Sequence, residues 1–136
     1  MIPKIIHQIW LGPCPAPKTE MRTWKDRHPG WEYRLWDEEA ISRCWPDGLY
    51  NQKQFDWMQE LCGKADIARY EILHRFGGFY ADADSVCLRP LDDWLLDNDS
   101  FACHEFGGGC CAIATGSPGR PGIRDTTANS RSVDRC

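Results

Sequence analysis

Ala65-Asp66-Ile67-Ala68-Arg69-Tyr70, followed by Phe76-Gly77-Gly78-Phe79-Tyr80-Ala81-Asp82-Ala83-Asp84, decides how this chain is read. Leu61, Ala65, Ala68, Ile72 and Phe76 fall at three- and four-residue steps, the stripe of an amphipathic helix. Gly77 is a natural stop, because a residue without Cβ adopts the left-handed conformation that closes a helix. Phe79-Tyr80-Ala81 then reads as a short apolar strand with Asp82 and Asp84 at its end. Positions i and i+2 of an extended chain point to the same side, so these carboxylates converge on one hard cation. Asp66 and Arg69, three apart on the helix, share a face and supply a hydrogen-bonding charged pair nearby. Together they suit a phosphorylated, hydroxyl-rich ligand.

On the N-terminal side, residues 2–11 carry Ile5, Ile9 and Leu11 on one face and Ile6 and Trp10 on the other. Apolar residues on both faces indicate an inner strand of a covered, mostly parallel sheet. His7 and Gln8 within it read as satisfied interior polar groups. A Gly-Pro-rich loop at residues 12–17 follows, then a helix near 19–27 with Met21 and Trp24 inward. Trp31, Tyr33 and Leu35 alternate with Glu32 and Arg34 as a second strand. Asp37 is a plausible N-cap for a helix over 38–45. Residues 46–53 read as a loop, and residues 55–76 as a helix that Gly63 weakens or splits. Val86 to Arg89 could add a strand before Pro90, with weaker strands at 100–105 and 110–114. Strands alternating with helices predict an α/β fold, its sheet flanked by helices and holding ligands at the strands' C-terminal ends. The expected organisation is one α/β domain over 1–115 and a poorly ordered tail over 116–136, where apolar periodicity is lost.

The bulk properties narrow the function. At 136 residues, with 42% hydrophobic and 26% charged residues, the composition is that of a globular domain. A net charge of −4 and scattered Lys and Arg argue against a nucleic-acid backbone as partner. No window reaches the length of a membrane span and no signal-peptide pattern opens the chain, so a cytoplasmic placement is the expectation. The eight cysteines contain no C-x-x-C pair and read as buried free thiols. A Cys103/His104 zinc site has no supporting pattern, and nothing local says whether His104-Glu105 reaches the ligand site.

Each candidate has a plainer reading. Asp82 and Asp84 could be an ordinary Asp-rich turn, Asp66 and Arg69 a surface ion pair, and Trp10 a core residue instead of a base-stacking platform. The apolar strand, the glycine pair and the upstream Asp66 and Arg69 together favour the ligand site. A haloacid-dehalogenase-type phosphatase, with Asp82 as nucleophile and Asp84 as general acid, is a weaker alternative. It needs a later Lys, and residues 85–136 contain none.

Residues 2–12 (Ile-Pro-Lys-Ile-Ile-His-Gln-Ile-Trp-Leu-Gly), 31–37 (Trp-Glu-Tyr-Arg-Leu-Trp-Asp), 65–70 and 77–84 resemble, in order, the D-x-D sugar-binding glycosyltransferase family. That family includes the yeast initiating α-1,6-mannosyltransferases and bacterial capsular polysaccharide enzymes; the clostridial glucosylating toxins are more distant. The resemblance implies a GT-A type nucleotide-diphospho-sugar transferase fold and a manganese (or magnesium) ion. It implies that Asp84 ligates the ion, that Asp82 supports it and holds ribose or sugar, and that Asp66 and Arg69 contact donor sugar and phosphate. Trp10 would lie against the base. The implied reaction moves a sugar from a UDP- or GDP-sugar to a saccharide or lipid-linked acceptor with retention, Asp82, Asp84 and Arg69 being the catalytic group. Members normally run longer, so the resemblance also implies a C-terminally shortened chain, for which a non-catalytic nucleotide-sugar-binding module is the alternative.

Overall fold

The computed structural model describes residues 1–104 and 110–116. Strands β1 (Ile5–Ile9), β2 (Glu32–Trp36), β3 (Gly78–Ala81), β4 (Ser100–His104) and β5 (Cys110–Thr115) form one sheet, ordered β2-β1-β3-β5-β4. The expected parallel core is its first half: β1 pairs in parallel with β2 and with β3. β5 runs antiparallel to β3 and β4 antiparallel to β5, so the whole sheet is mixed.

Helices α1 (Lys18–Arg27), α2 (Glu38–Cys44), α3 (Gln52–Trp57), α4 (Leu61–Phe76) and α5 (Asp93–Leu96) complete the chain. Phe79 and Tyr80 are neighbours in β3, so they face opposite sides of the sheet. Phe79 joins Ile6, Ala81, Trp24 of α1 and Leu96 of α5 in one core. Tyr80 joins Ile9, Leu11, Trp36 and α4's Ala68, Ile72 and Leu73 in the other. Burying a side chain such as Ile6, Ile72 or Phe79 completely contributes about 1.5–3 kcal/mol. Helices therefore cover both faces, in agreement with the expected GT-A type α/β architecture.

The local signals act where expected at both ends of this unit. Asp37 caps α2, its carboxylate accepting from Ala40 N–H at 2.8 Å. Gly77 ends α4 at φ 63°, its N–H donating to Leu73 O. Gly78, at φ 97°, is required by closeness: a Cβ there would stand 2.7 Å from Ile5 O.

Five expectations need correction. The 55–76 helix is broken at 58–60 and not at Gly63, and its first part begins inside the expected 46–53 loop. Gly63 is instead a docking notch, since a Cβ there would meet Met58 Sδ at 2.5 Å. Residues 86–89 form no strand; Cys87 N–H is taken by the Thr23 hydroxyl of α1 at 2.9 Å. Leu35 is exposed, and Trp36 is the residue that β2 buries at this end. Cys14 and Cys62 are exposed, whereas Cys87 and Cys103 are buried thiols as expected. The expectations for Glu105 and for the tail from 117 to 136 lie outside the described residues.

Candidate active site

β1 has β2 on one side and β3 on the other, so the order of strands reverses direction at β1. A crevice between the C-terminal ends of two such strands is where an open α/β sheet receives ligands. Trp10 follows β1 there, and Asp82 follows β3. At Gly77 the chain reverses from α4 into β3, the strand parallel to β1, so the earlier turns of the helix, with Asp66 and Arg69, lie toward the same edge.

Asp82 is half-buried and Asp84 exposed, with Ala83 buried between them. The pair does not continue the strand. Ser85 N–H donates to Asp82 O at 3.1 Å, and the Ser85 hydroxyl donates to the same oxygen at 2.6 Å. The expectation that strand alternation aims both carboxylates is thus replaced by a hydrogen-bonded turn. Alternation does operate one step earlier: Tyr80 and Asp82 share a side, and the Tyr80 hydroxyl donates to Asp82 Oδ1 at 3.1 Å.

Arg69 reaches this corner from α4. Its guanidinium pairs with Asp66 at 3.2 Å and lies 5.6 Å from the Tyr80 ring centre and 5.3 Å from that of Tyr70. The Arg69 side chain is 10% exposed and that of Asp66 57%, so one partner is embedded and the other open to a ligand. Burial opposes the Arg69 charge, and Asp66 with Tyr70 and Tyr80 outweighs it, raising its pKa.

Burial raises the Asp82 pKa most; the Tyr80 hydroxyl and the Arg69 charge work against that, while Asp84 and Asp66 add to it. The structure therefore brings Asp66, Arg69, Asp82 and Asp84 into one electrostatic neighbourhood. Two carboxylates repelling each other beside a guanidinium are a site that gains from a cation and an anion together. Among the described residues, no group of three His, Cys, Asp or Glu side chains could hold a metal. The donor set fits a hard divalent ion that takes its remaining oxygens from phosphate and water.

Trp10 is half-buried, and its indole N–H donates to Cys14 O at 2.8 Å, bracing the loop after β1. Gly12 N–H donates to Glu38 Oε1 at 2.6 Å, tying that loop to α2. His7 and Gln8 are fully buried and bonded, as expected. Trp36 Nε1–H donates to His7 Nδ1, which leaves His7 Nε2–H to donate to Gly77 O. Two groups escaped the sequence reading: Tyr80, whose i, i+2 relation to Asp82 was visible, and Ser85, for which only its place after D-x-D gave a hint. A recess of about 280 Å³ between α2 and α3 is lined by Trp45, Leu49 and Phe55, and by none of the candidate site residues.

Residues 17–101 match the family model described as the glycosyltransferase sugar-binding region containing the DXD motif. The chain belongs to this glycosyltransferase family. It is 34% identical over 112 residues to an uncharacterized glycosyltransferase of Acanthamoeba polyphaga mimivirus, covering 78% of this chain and 45% of the relative. It is 38% identical over 98 residues to inositol phosphoceramide mannosyltransferase 3 of Schizosaccharomyces pombe, covering 69% and 27% respectively. With the initiation-specific alpha-1,6-mannosyltransferase of Candida albicans it shares 28% identity over 134 residues, covering 90% and 34%. The chain thus spans between about a quarter and a half of these relatives. No solved structure matches it significantly.

Proposed function

We propose that this chain binds a nucleotide-diphospho-sugar through a divalent ion and carries the donor side of a retaining sugar transfer to a hydroxyl acceptor. The observation that supports this is the clustering of Asp66 and Arg69 with Tyr80 and Asp82 at the C-terminal ends of β1 and β3. Asp84, exposed at the turn, and the Asp82 oxygen left free by Tyr80 would hold the ion. When bound, the ion neutralises charge that develops on the departing diphosphate. Arg69, held against Tyr80 and Tyr70, presents a fixed positive charge to the phosphate or the sugar hydroxyls. Asp66, half open, accepts from sugar hydroxyls, and the Trp10 ring offers the base a surface. Manganese or magnesium both suit an all-oxygen site. Two mannosyltransferases among the relatives make a mannose donor and a saccharide or lipid-linked acceptor a reasonable starting panel.

The test is calorimetric titration of UDP- and GDP-sugars with and without manganese. Manganese-dependent binding to the wild type, abolished in Asp84→Asn with the circular dichroism spectrum intact, is the expected result. Equal binding by Asp84→Asn would remove the metal role. Binding without hydrolysis or transfer would instead assign the chain as a nucleotide-sugar-binding module.

A further inference from the structure

We infer that Gln8 is a positioning residue for the ligand site, holding the main chain of the Asp82 turn; the inference rests on the function proposed above. The β1–β3 ladder pairs Ile6 with Phe79 and His7 with Tyr80. Next along β1, the fully buried Gln8 side chain takes over: its Nε2–H donates to Asp82 O at 3.1 Å. Its Oε1 accepts from the Tyr33 hydroxyl of β2 at 2.7 Å. The carbonyl of Asp82 needs a donor, which fixes which end of the amide faces it. Three strands are thereby linked through one side chain across the crevice where the ligand is expected.

Gln8 is one of two arms on this turn. The other comes from α1, where Trp24 Nε1–H donates to Ser85 O at 3.1 Å and Ser85 Oγ at 3.0 Å. Asp82 O thus accepts from Gln8, from Ser85 N–H and from the Ser85 hydroxyl. An amide is costly to bury where an apolar residue would fill the core. Here the bond it donates falls on the residue whose carboxylate faces Tyr80 and Arg69. A fixed main chain leaves only the side-chain torsions of Asp82 to settle when a ligand arrives, which is the preorganisation a precise site needs.

Gln8→Met keeps length and apolar volume but removes both hydrogen bonds, and Tyr33→Phe removes only the hydroxyl that orients Gln8. Two readouts are taken on each: hydrogen exchange of the 82–85 amides, and titration with manganese plus UDP or GDP, whichever the wild type binds. The expected result is exchange about tenfold faster at 82–85 and nucleotide affinity about tenfold weaker in Gln8→Met, with smaller changes of the same kind in Tyr33→Phe. Ile72→Val, a destabilised control in the α4 core, should leave affinity unchanged. Unaltered exchange, or faster exchange with wild-type affinity, overturns the positioning role. If Gln8→Met does not fold, Tyr33→Phe decides by the same two readouts. Absence of manganese-dependent binding in the wild type would refute the functional reading itself, a result distinct from variants that bind as the wild type does.

Discussion

Acidification should loosen this fold through His7. The imidazole is fully buried, accepts from Trp36 Nε1–H on Nδ1 and donates from Nε2 to Gly77 O. The Trp36 bond needs an unprotonated Nδ1, and burial lowers the pKa from 6.5 to about 4, with the Gly77 bond, which the charged ring can also make, opposing. The unfolded chain therefore binds a proton between these values that the native state refuses. Stability from this group is full above the unfolded value and is lost as pH falls from there toward the folded one. The complete loss is about 3 kcal/mol, of which about 2 kcal/mol has gone near pH 5.

His28 is also neutral, its pKa lowered by burial against a bond to Trp24 O, and contributes in the same direction. Asp82, with a raised pKa, contributes oppositely. The assay must isolate His7, so the comparison is wild type against His7→Gln, each unfolded in urea near neutrality and at about pH 5. His7→Gln starts less stable but should lose less on acidification. At ordinary m-values the wild-type midpoint should fall by about 1 M more than that of the variant. Parallel pH dependence in the two proteins would refute the neutral buried imidazole.

Other outcomes follow from the site and the strand junction. Arg69→Ala should weaken intact nucleotide-sugar by roughly tenfold and free nucleoside diphosphate by less, measured by calorimetry; equal losses would contradict contact with the sugar. Tyr80→Phe removes a hydroxyl that holds the Asp82 pKa down, so the pH midpoint of manganese-dependent binding should move upward; an unmoved midpoint would sever Tyr80 from the ion site. Gly78→Ala puts a Cβ 2.7 Å from Ile5 O at φ 97°, and should cost at least about 1–3 kcal/mol in urea unfolding. A midpoint equal to wild type would show that β1 and β3 do not approach as described.

What could be read from the residues was what local chemistry dictates. The Asp37 cap, the Gly77 stop and the double-faced β1 each follow from a residue's own preferences, and each is present. The Asp66/Arg69 and Asp82/Asp84 neighbourhood was legible because a helix, a glycine turn and a strand of fixed rise leave little freedom between them. Misreadings occurred where a distant partner decides. Residues 86–89 look extended and apolar up to Arg89, yet the Cys87 N–H is taken by α1's Thr23 hydroxyl and not by a neighbouring strand. Gly63 looks like a break until Met58 is seen to fill the space it leaves. The turn that carries the aspartates depends on Gln8, Ser85 and Trp24, separated from it by up to 74 positions along the chain. No periodicity reports such contacts.

α1 illustrates how far this dependence extends. It supplies none of the groups proposed to touch a ligand, yet Trp24 grips Ser85 and Thr23 grips Cys87, on either side of the segment leaving the aspartates. The helix serves as a buttress behind the edge that carries the aspartates. Damage there would look, in a screen for the proposed ligand binding, like damage to the aspartates, with affinity failing before the fold does.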